Sequence, residues 1–234
     1  MNTKGTVVFD IIGTFFSLDK PRQRLAELGA PPYALQLWFA QTLRDAFALS
    51  HAGSYRSLKD VLEAELPRTL KVLDVQADAQ QRLHIVNSFT ELEPQPEALE
   101  AFHLLATTGW KLVALTNGSK ESTHKLLEHA NALEYFASIF SCDAIQKTKP
   151  HPDVYSLAKQ DAEGDIWMVT AHAWDIAGAA CAGLRTAFIT QEEKDYLSVY
   201  PQPEVVANDL VEAANQLIGG EQPHWISQNV GKKL

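Results

Sequence analysis

The chain has 234 residues, of which 46% are hydrophobic and 21% are charged, and its formal net charge is −9. This composition is typical of a globular protein that buries a sizeable core, and the negative charge disfavours binding to nucleic acid or to an anionic membrane. No apolar stretch approaches the about 20 residues that span a bilayer, and no apolar secretion signal is recognisable near the start, so we expect a cytoplasmic protein that does not bind membranes.

The first predicted element is a buried strand that ends at a carboxylate. Residues 7–10 form a short apolar run with two adjacent β-branched side chains, "VVFD", which indicates a strand of a parallel sheet. Asp10 ends the run, and a Gly-Thr turn that contains Thr14 follows. From the residues alone, Asp10 is either a functional carboxylate or the cap of that turn.

Between this strand and the next, at residues 20–92, every pattern is helical. Leu35 and Trp38 lie at the spacing of one helix face, and Ser57 is placed to cap a further helix. A helical block inserted after the first strand of an open α/β sheet would cover the carboxyl ends of the strands, where such sheets bind ligands. We therefore predict an inserted helical cap at residues 19–93.

After the inserted block, predicted strands and helices alternate along the chain. The strands are expected at residues 111–116, 137–142, 165–170 and 185–190, and the helices at residues 96–107, 120–129, 153–160, 175–182 and 208–218. This alternation predicts an α/β fold with a Rossmann-like parallel sheet. The core would comprise residues 1–18 and 94–220, followed by a C-terminal tail at 221–234.

Four polar features lie at strand ends or in the loops that follow them. Because the carboxyl ends of parallel strands share one edge of a sheet, we expect the four to meet in one crevice. They are Asp10 with Thr14, Thr116 with Asn117, Lys149 in "KTKPHPDVY", and the stretch "TAHAWD" from Thr170 to Asp175.

The order and spacing of these features resemble the haloacid dehalogenase superfamily over about residues 5–190. The resemblance implies that Asp10 is a nucleophile and that Lys149 keeps it ionised by opposite charge. It also implies that donors at Thr14, Thr116 and Asn117 fix the oxygens of that carboxylate or the substrate. From the residues alone, the alternative for Lys149 is a solvated surface lysine.

Two positions separate this sequence from the phosphatases of that superfamily. Those enzymes carry a second aspartate two residues after the nucleophile as a general acid, and here the position is Ile12. Their fourth motif also supplies carboxylates to Mg²⁺, which needs hard oxygen ligands, and one of these is Ala171 here. We therefore expect no cofactor, with Mg²⁺ required only if the protein is a phosphatase after all.

The type II 2-haloacid dehalogenases resemble the chain more closely. "AWDIAGA" keeps that branch's Ala-Trp-Asp-x-x-Gly-Ala pattern, and Tyr155 follows Lys149 at the branch's spacing of six residues. The resemblance implies metal-free chemistry in which Asp10 attacks a saturated carbon and expels halide. Water, activated near Asp175 and Lys149, would then hydrolyse the ester.

The halide-binding residues of that branch are only partly kept. An arginine is expected after a Leu-Trp pair, and Phe39 stands there. His172 replaces an asparagine, where it would donate a hydrogen bond, titrate near neutrality, or simply pack at the strand end. Trp174 lines the leaving-group pocket or packs the floor of the crevice, and Tyr155 binds substrate or packs in the core.

Our leading hypothesis is a metal-independent hydrolase acting on a small anionic organic acid, with Asp10, Lys149 and Asp175 as catalytic residues. The rival hypotheses are a phosphatase of the same superfamily and a binding protein that has kept the fold and lost activity. Trp38 and Phe39 are expected to form an apolar surface of the cap, which leaves a homodimer open as well as a substrate pocket.

Overall fold

The computed structural model describes residues 3–220. Its strands are β1 (Gly5–Phe9), β2 (Trp110–Thr116), β3 (Phe136–Ser141), β4 (Asp165–Thr170), β5 (Arg185–Ile189) and β6 (Val205–Ala207). Its α-helices are α1 (Asp19–Glu27), α2 (Ala34–His51), α3 (Leu58–Val72), α4 (Ala79–Asn87), α5 (Ala98–Thr107), α6 (Lys120–His129), α7 (Pro152–Lys159), α8 (Ala173–Cys181) and α9 (Leu210–Gly219). The predicted α/β fold is confirmed.

The strands form one parallel sheet in the order β3-β2-β1-β4-β5-β6. The chain leaves β1 towards β2 and β3 on one side and later returns to place β4 on the other side. The carboxyl ends of β1 and β4 therefore flank the point where the strand order reverses, which is where open α/β sheets form a crevice. Asp10 follows β1 directly, and Thr170 is the last residue of β4.

Aromatic packing fixes the loop after β1. The ring of Phe15 lies 4.8 Å from that of Phe102 on α5, and Phe9 at the end of β1 lies 4.9 Å from the same ring. Both pairs meet edge to face, an arrangement that aromatic rings prefer, and all three side chains are buried. The turn that carries Thr14 is therefore held against the sheet from both of its ends.

Helices α1–α4 lie between β1 and β2, as the sequence predicts. Ser57 caps α3 by accepting a hydrogen bond from the backbone N–H of Asp60. The expectation that Trp38 forms part of an apolar cap surface is wrong. Its side chain is fully buried, and its Nε1 donates to the carbonyl oxygen of Leu62 at 3.1 Å. Trp38 joins α2 to α3 and forms no part of an apolar surface.

These inserted helices contact the loops at the carboxyl edge of the sheet. The ring of Phe47 lies 5.2 Å from that of Trp174, and the Tyr55 hydroxyl donates to Asp143 at 2.6 Å. The α2 helix therefore covers the strand ends. The division into a core and a cap domain at residues 19–93 stays a prediction.

The predicted strands and helices within residues 3–220 appear within about two residues of their expected bounds. The exception is β6, a three-residue strand at the sheet edge that is too short to show a period. The tail predicted at residues 221–234 lies outside the described residues. None of the helices described between residues 3 and 220 is long and apolar enough to cross a membrane.

Candidate active site

Asp10 lies at the centre of the site with both carboxylate oxygens hydrogen-bonded. Oδ1 accepts from the Lys149 ammonium at 2.7 Å, and Oδ2 accepts from the Thr14 hydroxyl at 2.7 Å. Burial by itself would raise the pKa of Asp10, but the charges of Lys149 and His172 and these hydrogen bonds leave that pKa below its ordinary value. The carboxylate is thus held ionised and oriented, although the residue is only 4% exposed.

The Thr14 hydroxyl fixes this carboxylate from the opposite side. Its oxygen accepts a hydrogen bond from the backbone N–H of Ala171 at 2.9 Å. A hydroxyl has a single hydrogen, and here that hydrogen points at Asp10. Thr14 therefore ties the turn after β1 to the loop after β4, and it has the predicted role of fixing an oxygen of Asp10.

Lys149 is completely buried, and all three of its ammonium hydrogens have protein partners. They bind Asp10 at 2.7 Å, Oδ2 of Asp175 at 2.8 Å and the carbonyl oxygen of Leu115 at 3.2 Å. Burial alone would lower the pKa of Lys149, but the two carboxylates raise it above its ordinary value. Lys149 is therefore an ammonium ion, and the alternative of a solvated surface lysine is wrong.

Asp175 is also fully buried, between Lys149 and Tyr155. Its Oδ1 accepts a hydrogen bond from the Tyr155 hydroxyl at 2.6 Å. Burial and the nearby charge of Asp10 raise the pKa of Asp175, against the opposing effect of Lys149. Because the Tyr155 side chain is entirely buried, it is placed to hold Asp175 and not to contact a substrate directly.

Thr116 and Asn117 shape the loop after β2 and make no hydrogen bond to Asp10. The Thr116 hydroxyl accepts from the backbone N–H of Gly118 at 2.9 Å. Oδ1 of Asn117 accepts from the backbone N–H of Lys149 and from the thiol of Cys142, each at 2.9 Å. Asn117 therefore positions the chain that carries the lysine.

His172 lies beside Asp10 on the open side of the site. Its Nε2 is 3.1 Å from the carbonyl oxygen of Ile12 and 3.7 Å from Oδ2 of Asp10. Its Nδ1 is 3.4 Å from Oε1 of Glu193. Burial alone would lower the pKa of His172, but Glu193 and Asp10 raise it to about 8. Glu193 is absent from the sequence-based candidates, because it lies in an irregular loop with no motif around it.

An aromatic stack continues from His172 towards α2. The imidazole lies 5.2 Å from the ring of Trp174, to which it is inclined by 14°, and 6.3 Å from the ring of Phe39. A cavity of about 630 Å³ opens here, lined by the three rings together with Leu18, Arg22, Leu35, Gln36, Ala40, Leu43, Arg44, Phe47, Glu192, Glu193 and Tyr200. Phe39 and Trp174 thus lie at the cavity wall, and their contact with a substrate stays a prediction.

The chemistry open to this arrangement is nucleophilic attack by a carboxylate. Asp10 is ionised, and Ile12, which lies two residues further on, has no proton to give to a leaving group. Among residues 3–220 there is no group of three or more His, Cys, Asp or Glu side chains that could hold a metal ion. A leaving group that departs as a stable anion needs no such acid.

The chain matches the family model of haloacid dehalogenase-like hydrolases over residues 5–183. The (S)-2-haloacid dehalogenase of Pseudomonas sp. (strain YL) is 30% identical over 190 residues, which cover 79% of this chain and 82% of that enzyme. The solved L-2-haloacid dehalogenase from Xanthobacter autotrophicus superposes with a TM-score of 0.84 at 22% identity, over 94% of this chain and 100% of that one. A second structure of that enzyme, with chloropropionic acid covalently bound, has the same identity and coverage and a TM-score of 0.81.

Proposed function

We propose that this chain, which belongs to the haloacid dehalogenase-like hydrolases, hydrolyses a small 2-haloacid through an ester formed on Asp10. One observation carries the proposal. Asp10 is an ionised carboxylate held by Lys149 and Thr14, and Ile12 occupies the position at which a poorer leaving group would require a proton donor. The relatives that are named as 2-haloacid dehalogenases support the same choice of substrate.

The first step needs no proton transfer. An oxygen of Asp10 forms a bond to the carbon that bears the halogen, and the carbon–halogen bond breaks as the halide leaves with the electron pair. A carboxylate is a weak nucleophile in water, and burial of Asp10 removes the hydration that weakens it. Covalently bound chloropropionic acid in the Xanthobacter autotrophicus enzyme supports an intermediate of this kind.

The second step regenerates the enzyme. Water attacks the carboxyl carbon of Asp10. The bond between that carbon and the bridging ester oxygen, which came from Asp10, then breaks, and this oxygen leaves with the substrate as the hydroxyl group of a 2-hydroxy acid. Negative charge that develops on Oδ1 is stabilised by the Lys149 ammonium, 2.7 Å away. One proton of the water passes to Asp175 beside Lys149, where the raised pKa of Asp175 favours its acceptance, and then protonates the leaving alkoxide oxygen. The other proton is lost when the carboxyl group of Asp10 ionises again. One proton is released for each turnover.

The donor set favours a reaction without a metal. In the fourth motif, Ala171 stands where a carboxylate would be required, and both oxygens of Asp175 already accept from Lys149 and Tyr155. Mg²⁺ binds through several hard oxygen ligands in near-octahedral geometry, which these residues do not offer. The substrate would be a small organic anion. The cytoplasmic location and the homodimer stay predictions.

Halide release from (S)-2-chloropropionate tests the proposal. We expect release in the presence of EDTA and its loss in Asp10→Asn, whereas Asp19→Asn, at an exposed helix start, keeps wild-type activity. Circular dichroism would verify that both variants fold. Absence of halide release together with Mg²⁺-dependent turnover of p-nitrophenyl phosphate would identify a phosphatase and overturn the proposal.

A further inference from the structure

The buried charges around Asp10 balance when both carboxylates are ionised and His172 is protonated. Asp10 and Asp175 are both buried, and they share the single ammonium of Lys149. Two carboxylates and one ammonium leave one unpaired negative charge, which is costly in a site removed from water. An imidazolium at His172, 3.7 Å from Asp10, neutralises this cluster.

The contacts of the His172 ring also require a hydrogen on each nitrogen. Nε2 faces the carbonyl oxygen of Ile12 at 3.1 Å, and Nδ1 faces the carboxylate of Glu193 at 3.4 Å. A neutral imidazole has one N–H, so its other nitrogen would direct a lone pair at one of these oxygens. Only the imidazolium ion suits both neighbours.

Glu193 is itself held in place. Its Oε2 accepts a hydrogen bond from the backbone N–H of Ala173, the first residue of α8, at 3.1 Å, while Oε1 faces the imidazole. A carboxylate at the start of a helix is also favoured by the helix dipole. The loop after β5 thereby reaches the site through a single fixed side chain.

The other cations at the cavity have partners of their own. Arg44 forms two hydrogen bonds to Asp45, and Arg22 binds Asp19 and lies 3.9 Å from Glu192. Lys149 is completely buried and does not line the cavity. Of the charged groups that the structure describes around the nucleophile, His172 is the cation that lies at the cavity wall beside Asp10.

We propose that Glu193 is a positioning residue that keeps His172 as an imidazolium, and that this imidazolium is the charge that binds a small monovalent anion beside Asp10. The inference rests on the proposed function, in which that anion is the carboxylate of the substrate or the departing halide. Phe39 on α2 places an apolar ring 6.3 Å from the imidazole, so at this point of the cavity wall the positive charge comes from His172.

The inference predicts a defined dependence on pH. The pKa of His172 is raised to about 8, so the imidazolium is present below that pH and is lost as the pH rises through it. Anion binding and proton binding are linked, so a bound anion raises the pKa of His172 further. Turnover of a 2-haloacid should therefore decline as the pH rises through the pKa of His172.

Nuclear magnetic resonance titration of labelled histidines tests this without any turnover, with the His172 signal assigned from His172→Asn. We expect Glu193→Gln to lower the pKa of His172 by about one unit, whereas Glu192→Gln, from the same cavity wall, leaves it unchanged. Propionate or bromide should raise the pKa in the wild type, and which of the two does so identifies carboxylate or halide as the bound group. An unchanged pKa in Glu193→Gln, or no response to either anion, overturns the inference.

Kinetics then separate the inference from the proposed function. If the wild type releases halide, Glu193→Gln should increase KM about tenfold at a pH above both pKa values of His172, where one pKa unit changes the imidazolium fraction about tenfold. It should also move the alkaline limb of kcat/KM to lower pH. Wild-type KM and pH profile in Glu193→Gln would overturn the inference while leaving the proposed function intact. A wild type that releases no halide would overturn the proposed function, whereas the expected titration shifts would still support the ion pair and the anion site.

Discussion

The Lys149 ammonium lies 2.7 Å from Oδ1 of Asp10, across 139 positions of sequence, and both side chains are buried. The contact joins the strand at the centre of the sheet to the loop before α7. Because Asp175 shares the same ammonium, the two carboxylates would repel each other without it. One side chain therefore supports both the fold and the ionised nucleophile.

Removal of this ammonium should be costly for stability. We expect Lys149→Met to lower the free energy of unfolding by about 3–5 kcal/mol, because it leaves two buried carboxylates without the ammonium that they share. Lys125→Met removes an exposed i,i+4 partner of Glu121 and should cost less than about 1 kcal/mol. Urea denaturation at pH 7.5 compares the two, and equal losses would show that the buried pair is not the stabilising contact.

Gly13 is expected to tolerate no side chain. It has φ +86°, and an added Cβ would lie 2.8 Å from Nε2 of His172. Gly13→Ala should therefore displace His172 and reduce halide release at least tenfold. Gly53→Ala is the matched control, because Gly53 has φ +71° with open space around it and loses about 1–2 kcal/mol of stability through the backbone alone. Equal activity of the two variants would contradict the placement of His172.

The Tyr155 hydroxyl should act through Asp175. Tyr155→Phe keeps the ring and removes the donor to a buried carboxylate, which should cost about 1.5–3 kcal/mol of stability and slow ester hydrolysis. Tyr196→Phe removes the exposed hydrogen bond to Pro201 and serves as the control, with an expected loss below about 1 kcal/mol. Stability that is unchanged in Tyr155→Phe would contradict the buried contact.

The Thr14 hydroxyl should matter for rate more than for binding. Thr14→Val keeps the shape and removes the donor to Oδ2 of Asp10, a bond worth about 1.5–3 kcal/mol, so kcat should fall about 10–100-fold. Thr14→Ser retains the hydroxyl and should retain most of the activity. Rates measured at saturating 2-chloropropionate decide the matter, and similar rates in the two variants would remove Thr14 from the mechanism.

Strand periodicity and the shared edge of parallel strands were enough to predict the meeting of Asp10, Thr14, Lys149 and Asp175. Each follows an apolar run or a motif, and a parallel sheet brings such loops together whatever their separation in sequence. The same reasoning predicted the inserted helices, because residues 20–92 contain helical patterns only.

Side-chain partners were harder to predict. Hydrophobic spacing marks Trp38 as apolar but does not say whether it faces α3 or the cavity, and it faces α3. Tyr155 meets Asp175 because Gly178 leaves room, since a Cβ there would lie 2.4 Å from the tyrosine hydroxyl. Glu193 has no periodicity or motif, and its role depends on the course of a loop.

The claim that Asp10 forms an ester with the substrate is tested most directly by the origin of the hydroxyl oxygen in the product. In a single turnover with excess enzyme in H₂¹⁸O, the account predicts that the 2-hydroxy acid carries ¹⁶O from Asp10 and that the peptide containing Asp10 gains ¹⁸O. Mass spectrometry of both species measures this. Product that carries ¹⁸O after the first turnover, with an unlabelled Asp10 peptide, would show direct attack by water and contradict the ester.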